Sequence, residues 1–251
     1  MKRKILKCLG VWDLHYPLQD TLLWSNILKE VRSFKPDVFV FGGDNMNMSA
    51  VDHWLHDKGL VRQLEGRRVQ EEYNGFKKTI LFPLVRSLKD DCRKIWLNGN
   101  HEDWIELAID KNPQGEGYWE IENNLHLKET GWETYDYGKF AKIGKLYAIH
   151  GQYTNLYHAK KTVDVFERSV IGGHAHTYQI FTKVTPIGNE AHSAFSVPCA
   201  CLLNPDYRRN QPNAWVSGFT EFFVDKHSGN FDVYPIIAVD GHFITPDGRY
   251  R

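Results

Sequence analysis

The chain has 251 residues, of which 42% are hydrophobic, 25% charged and 14% aromatic. That is the make-up of a folded globular protein and excludes a disordered, collagenous or coiled-coil chain. Lys and Arg number 31, as do Asp and Glu, so the net charge is zero and no whole-molecule electrostatic drive toward nucleic acid or anionic lipid is expected, local patches aside.

The opening, MKRKILKCLGVWDLHYP, is basic and then apolar. Lys7 and Asp13 interrupt the apolar stretch and no small-residue cleavage site follows, unlike a secretory signal. The first strand is expected over 5–11 and leads to Asp13 and His15. Asp20 or Thr21 can cap a helix carrying Leu23, Ile27, Leu28 and Val31, which stops before Pro36. A second strand, 38–41, leads to Gly42-Gly43-Asp44. Ser49 can cap a helix with Val51, Trp54 and Leu55. A longer helical stretch over about 60–88 repeats Val69, Tyr73, Phe76, Ile80, Leu84 and Leu88, with Gly66, Gly75 and Pro83 as expected breaks or kinks. Its other face is charged (Arg62, Arg67, Arg68, Glu71, Glu72, Lys77, Lys78) and reads equally as a phosphate-backbone patch or, with Glu65 interleaved, as solvated i,i+4 pairs.

Three further strand ends repeat the pattern. Residues 95–97 lead to Asn98-Gly99-Asn100-His101, 146–149 to His150-Gly151, and 170–171 to Gly172-Gly173-His174-Ala175-His176. Ala159, Val163 and Phe166 suggest a short helix before the last of these. Beyond His176 the texture is β-rich to about residue 240, with strands over 179–184, 194–203, 219–224 and 231–237 and a hairpin turn over 225–230. Short continuous apolar runs read as strands covered on both faces, and ligands bind beyond strand ends in open α/β sheets. The expectation is a single α/β domain over 1–251: a four-layer α/β/β/α sandwich of two mixed sheets flanked by helices, with a helical insert over about 47–92.

No window approaches the ~18 uncharged apolar residues of a membrane span. Cys8, Cys92, Cys199 and Cys201 are too few and scattered for a disulfide framework, and a reducing, cytoplasmic setting fits. Cys199 and Cys201 lack the two-residue gap of the usual metal or redox pair; their spacing suits a strand with both thiols on one face.

Collected, the strand ends supply Asp13, His15, Asp44, Asn100, His150, His174 and His176. Mixed carboxylate, amide and imidazole donors suit first-row transition metals rather than calcium or magnesium alone. One bridging carboxylate gives each of two ions four of these ligands, the arrangement that clamps an in-line phosphoryl displacement. Structural zinc is mostly Cys-rich and closed, and no Cys lies in these segments.

Asp13-Leu14-His15, Gly43-Asp44, Gly99-Asn100-His101-Glu102, His150-Gly151 and Gly173-His174-Ala175-His176 resemble the five ordered motifs of calcineurin-like metallophosphoesterases, the small prokaryotic and phage-type members most nearly. The resemblance spans residues 13–176. It implies that Asp13, His15 and His176 hold one metal, that Asn100, His150 and His174 hold the other, and that Asp44 bridges. His101 then faces the phosphate and assists the leaving oxygen, while a water shared by the ions attacks phosphorus. The implied cofactors are two divalent transition-metal ions, manganese first, with Fe, Zn, Ni or Co accepted by the same donors.

The chain lacks the Asp-Arg-Gly of protein Ser/Thr phosphatases after Asp44, and Asn47 stands where purple acid phosphatases place a metal-binding Tyr. Glu102 stands where Asp is more usual and reads as orienting a ligand. The favoured function is a phosphodiesterase acting on a nucleic acid or nucleotide. A phosphomonoesterase of the same superfamily and a non-catalytic binding scaffold are the rivals. His53 and His56 share a helix face and read as solvent-facing, with substrate contact or a third metal as the alternative. His158, His192, His227 and His242 have no partners in sequence. Arg208-Arg209 reads as surface with a phosphate contact as its rival, and Trp104, Tyr153 and Tyr157 as core or as base-stacking rings.

Overall fold

Successive side chains on the central strands sort into two separate cores. On β1 (Ile5–Val11), β2 (Val38–Phe41) and β3 (Arg93–Leu97), Cys8, Val38, Val40, Ile95 and Leu97 enter one core, and Leu9, Val11, Phe39, Phe41 and Trp96 the other. A strand's side chains alternate between faces, so strands without a solvated face require layers on both sides. The structure, a computed structural model, describes residues 4–59, 66–188 and 190–251, without the side chains of Trp54 and His56.

One core lies under α1 (Thr21–Phe34), through Leu23, Trp24, Ile27 and Val31, and α3 (Val69–Phe76), through Tyr73 and Phe76. The other is shared with a second sheet, to which β5 (Ala141–Ile143), β6 (Leu146–Ala148) and β7 (Ser169–Gly172) contribute Ala141, Ile143, Leu146, Ala148 and Ile171. On its far face Ala159 and Val163 of α6 (His158–Phe166) pack on Ala194 of β9 (Glu190–Ser196) and Phe181 of β8 (Gln179–Thr185). The order of layers is the expected α/β/β/α.

With β4 (Trp132–Tyr135), β10 (Gly218–Asp225) and β11 (Phe231–Ile237), the sheets run β11-β10-β1-β2-β3-β4 and β5-β6-β7-β9-β8. β1, β2, β3 and β4 are parallel neighbours, as are β6, β7 and β9; β10 and β11, and the edge strands β5 and β8, pair antiparallel. β4 and β5 carry no long apolar run and are not apparent in the sequence. The strand expected over 194–203 ends at Ser196; Pro198 cannot donate to a ladder, and Cys199 and Cys201 make isolated bridges instead, to Trp12, Ser217 and Gln19.

The segment between β2 and β3 corrects three expectations. Ser49 opens a single 3-10 turn and does not cap a helix; Asp52 caps α2 (His53–Asp57), accepting the Leu55 N–H at 3.1 Å. Glu72 leaves the solvated face and accepts the N–H groups of Met48 and Ser49. Gly75 does not break the helix: a Cβ there would lie 2.0 Å from the Tyr16 hydroxyl, so its bareness admits that ring. Helical backbone continues through Lys77–Leu81 into α4 (Phe82–Val85) by one π turn. Pro83 has no N–H for the Thr79 carbonyl, and the Trp24 indole N–H donates there instead at 3.3 Å. Arg62 and Glu65 lie outside the described residues. Among those described, no helix is long and apolar enough to cross a membrane.

Candidate metal centre

Parallel strands deliver their C-terminal ends to one side of each sheet, and the two sheets face each other there. Asp13 and His15 follow β1, Asp44 follows β2, and Asn100 and His101 open α5 (Asn100–Lys111) just after β3. His150 follows β6, and His174 and His176 follow β7. Asp13, His15, Asp44, His174 and His176 have φ of +52°, +49°, +49°, +69° and +56°. Such left-handed backbone costs about 1–3 kcal/mol per residue and persists only where neighbours over-determine it. They do so here. Asp13 N–H donates to Gly43 O at 3.1 Å and His15 N–H to Asp44 O at 2.8 Å, locking the tails of β1 and β2 together. The His174 N–H donates to both carboxylate oxygens of Asp13, at 3.1 and 2.9 Å. A Cβ at Gly99 would lie 2.1 Å from Asp44 Oδ1, and one at Gly173 2.1 Å from Asp13 Oδ2.

The structure brings all eight sequence-nominated residues together. His176 Nε2 lies 3.5 Å from Asp13 Oδ1 and 3.1 Å from His15 Nε2. Asp44 Oδ2 lies 3.6 Å from His15 Nε2, 3.4 Å from His150 Nε2 and 3.8 Å from His101 Nε2. His150 Nε2 is 3.1 Å from Asn100 Oδ1. Donor atoms of Asp13, His15 and His176, and of Asp44, His150 and His174, form groups compact enough to hold a metal ion each, with Asp44 also grouped with His15 and His101.

Ring tautomers decide what these clusters can hold. His150 Nδ1 faces the Gly42 carbonyl at 3.2 Å, and His101 Nδ1 the Asn47 carbonyl at 2.8 Å. A carbonyl only accepts, so both Nδ1 atoms carry the proton and both Nε2 atoms present a lone pair inward. His15 Nδ1 meets Asn47 Oδ1 at 3.2 Å, an oxygen oriented by the Asn47 amide donating to Ser49 Oγ at 2.7 Å. Inward lone pairs aimed at carboxylate oxygens repel unless a proton or a cation lies between. This outward-donating, inward-accepting arrangement is that of metal-ligating imidazoles, and the donor set fits a pair of divalent ions.

Without a cation, protons take those places. Burial disfavours charge on His150, but Asp44, Asp13 and Glu102 outweigh it and raise the imidazole to about 9. Burial likewise opposes Asp13 at His176, and Asp13 prevails, raising it to about 10. Burial and then the charge of His101 hold His15 down at about 3. Burial opposes ionisation of Asp44, yet His150 and His101 hold its carboxyl well below the usual range.

Several neighbours support these residues; Glu102 reads from the sequence as orienting a ligand, whereas Trp215 has no signal there. Glu102 accepts four backbone N–H groups around Asp44, and Asn47 orients two imidazoles. Trp104 packs on His101 with ring centroids 3.8 Å apart, and Trp215 on His176 at 4.1 Å. Arg208 lies over the Trp215 ring at 4.9 Å, which brings its loop to the rim of the centre. Cys201 Sγ is 3.7 Å from His176 Nδ1 and buried, and Cys199 joins the same group. The thiols read from the sequence as strand residues thus back a site imidazole. His53 meets Trp104 edge-on at 5.3 Å, so it is not solvent-facing alone. His158 is satisfied by Asn155 O and Thr177 Oγ1.

The sequence matches the model of the calcineurin-like phosphoesterase family over residues 13–218. No curated protein matches it. Among solved structures, it is similar to a conserved Streptococcus pneumoniae protein described as a predicted phosphoesterase, at 10% identity and TM-score 0.37, covering 99% of this chain and 94% of that one. It is also similar to a single mutant of Vps29 from Entamoeba histolytica (11% identity, 93% and 100% covered, TM-score 0.39). A third is nuclease MPE of Pseudomonas putida (13% identity, 90% and 87% covered, TM-score 0.34). These three likenesses are distant. The family match begins at Asp13 and runs past His176 to the start of β10. The chain therefore belongs to the calcineurin-like phosphoesterase family, metal-dependent hydrolases of phosphate esters with a dinuclear divalent-metal centre.

Proposed function

We propose that the protein is a phosphodiesterase acting on a nucleic acid or nucleotide, with Asp13, His15 and His176 holding one divalent transition-metal ion, Asn100, His150 and His174 the other, and Asp44 between them. The observation that carries this reading is the convergence of carboxylate and imidazole donors at the strand ends, with His15 and His150 tied through Nδ1 to oxygen acceptors so that Nε2 faces inward. When bound, such ions supply a nucleophilic water near neutral pH and neutralise phosphate charge. Manganese is the first choice, since mixed N/O donors accept Mn, Fe, Co, Ni or Zn and availability selects among them.

His101 is the group left for proton transfer. Its Nδ1–H is fixed on Asn47 O, its Nε2 faces the cluster, and at 18% side-chain exposure it is more open than His15, His150 or His176. It faces the phosphate and, in its doubly protonated form, gives the Nε2 proton to the leaving oxygen while the Nδ1 proton stays on Asn47 O. Diester preference is supported by charge. Among the described residues, the ion pairs of Asp13 and Asp44 are all with imidazoles, and the stretch directly after Asp44, Asn45 to Ser49, holds no Arg. A monoester dianion asks for more fixed positive charge than that. Zero net charge argues against a non-specific nuclease of long duplexes.

The test compares bis(p-nitrophenyl) phosphate with p-nitrophenyl phosphate as substrates of the manganese-loaded protein, with Asp44→Asn as the blank. The expected result is a diester preference in kcat/KM of about tenfold or more. A monoester preference overturns the phosphodiesterase reading, and full activity in Asp44→Asn overturns its bridging role.

A further inference from the structure

Beside His101 the fold leaves a cavity apart from the metal ligands. It measures ≈ 340 Å³ and is lined chiefly by Val51, His53, Trp104, Leu107, Lys111 and Trp119. Trp104, Leu107, Ala108 and Lys111 recur at three- and four-residue spacings on α5 and so share one helix face. The Ser49–Val51 turn and His53 of α2 form the facing wall.

Trp104 joins the cavity to the site. It lines the cavity and stacks on His101 at 3.8 Å and a 32° tilt, while His53 meets it edge-on. From the cleft outward the order is Asp44, His101, Trp104, cavity.

We propose that this cavity is the subsite for the leaving side of the diester, and that the group it takes is a nucleobase. The inference rests on the phosphodiesterase reading, in which His101 protonates the leaving oxygen. That oxygen must then lie on the His101 side, opposite the attacking water, and whatever it carries extends next across Trp104. Three aromatic side chains, His53, Trp104 and Trp119, and the aliphatic Ala50, Val51, Leu107 and Ala108 form walls for a flat, weakly polar group. Bases stack on such rings without regard to sequence. Lys111 and Asn112 at the C-terminal end of α5 offer polar contacts to a base edge. The volume falls in the range of small-ligand sites, about 300–1,000 Å³.

The experiment uses the metal-loaded protein, a thymidine dinucleotide, and two analogues each lacking one of its bases, with bis(p-nitrophenyl) phosphate as the reference diester. One of the two missing bases is expected to raise KM about tenfold or more, as loss of a stacked base does. Ala108→Phe fills the cavity from α5 without touching His101 or a metal ligand, and should abolish the discrimination while metal content stays unchanged. Val51→Phe does the same from the facing wall should Ala108→Phe fail to fold. Equal KM for all three dinucleotides in the unsubstituted protein overturns the inference and leaves the diesterase reading intact, as does discrimination that survives a folded filling variant. Absence of hydrolysis of any diester overturns both.

Discussion

The carboxylate of Glu102 accepts the backbone N–H of Asp44 at 2.9 Å, and the same oxygen accepts that of Gly99 at 2.7 Å. Its other oxygen accepts the N–H groups of Asn45 and Met46, at 2.8 and 2.9 Å. One buried side chain thus pins the loop that presents Asp44 to the start of the helix that presents Asn100 and His101. Burial, and then the charge of Asp44, push the Glu102 carboxyl up, and its four N–H donors pull it the other way. Glu102→Gln turns an N–H group toward donors. The expected cost is about 2–4 kcal/mol, from the donors left unmatched, together with loss of metal. Denaturant unfolding of the metal-free protein and metal analysis read the two effects separately.

Asn47 gives its side-chain oxygen to His15 and its backbone carbonyl to His101. Asn47→Ala removes only the first. Loss of such an orienting partner lowers metal affinity by about 10–100-fold, and the effect is expected at the ion held by His15 alone. Stepwise chelator competition should show one weakened site and one unchanged.

Metal binding should release protons. In the metal-free protein, carboxylates outweigh burial and raise His150 to about 9 and His176 to about 10, so both imidazoles are charged at neutral pH. A metal ion takes the same inward direction as those protons. Calorimetry in buffers of different ionisation enthalpy should count about two protons released at pH 7, with apparent affinity rising from pH 7 to 9.

His101→Ala should keep both metals and lose turnover, by about 100–10,000-fold as general-acid removal does. The loss should be smaller for p-nitrophenol esters than for nucleoside esters, because a good leaving group needs less protonation. A collapse of metal content instead would make His101 a ligand.

Glu221 lies on β10, is 1% exposed and is pushed up to about 8 by burial and then the charge of Glu30, against the pull of Arg249. The folded state holds this proton more tightly than the unfolded chain does. Its contribution therefore turns unfavourable as pH rises above the ordinary carboxyl value and keeps falling until about pH 8. Glu221→Gln should be more stable at pH 7 by about 2–3 kcal/mol, with no gain at pH 4. Thermal melts of both proteins across pH 4–8 measure the difference.

The strand ends were legible because each ligand sits directly after a short apolar run, where a buried strand must stop and its backbone turn. Asp13, Asp44 and His150 could be found that way, as could the two sheets, whose runs are continuous because both faces are covered. Boundaries failed where local pattern and tertiary need diverged. Glu72 fits a solvated helix face by spacing, yet Met48 and Ser49 have N–H groups to satisfy, and it turns inward. Pro83 reads as a break or kink, yet helical backbone runs on through it by a π turn and the Trp24 indole takes over the carbonyl that it leaves bare.

Residue types and order along the chain thus determined the layers and which residues converge. The tertiary structure alone decided how they are held: that Asn47, Cys201 and Trp215 stand behind ligands and Trp104 behind His101, that Glu102 does its orienting through four backbone N–H groups, and that a ring-lined cavity opens next to His101. The reason is physical. A ligand's identity is set by its own atoms, whereas its tautomer, orientation and charge are set by whichever carbonyl, amide or ring packs against its other side. Those partners come from segments distant in sequence, with no spacing to announce them.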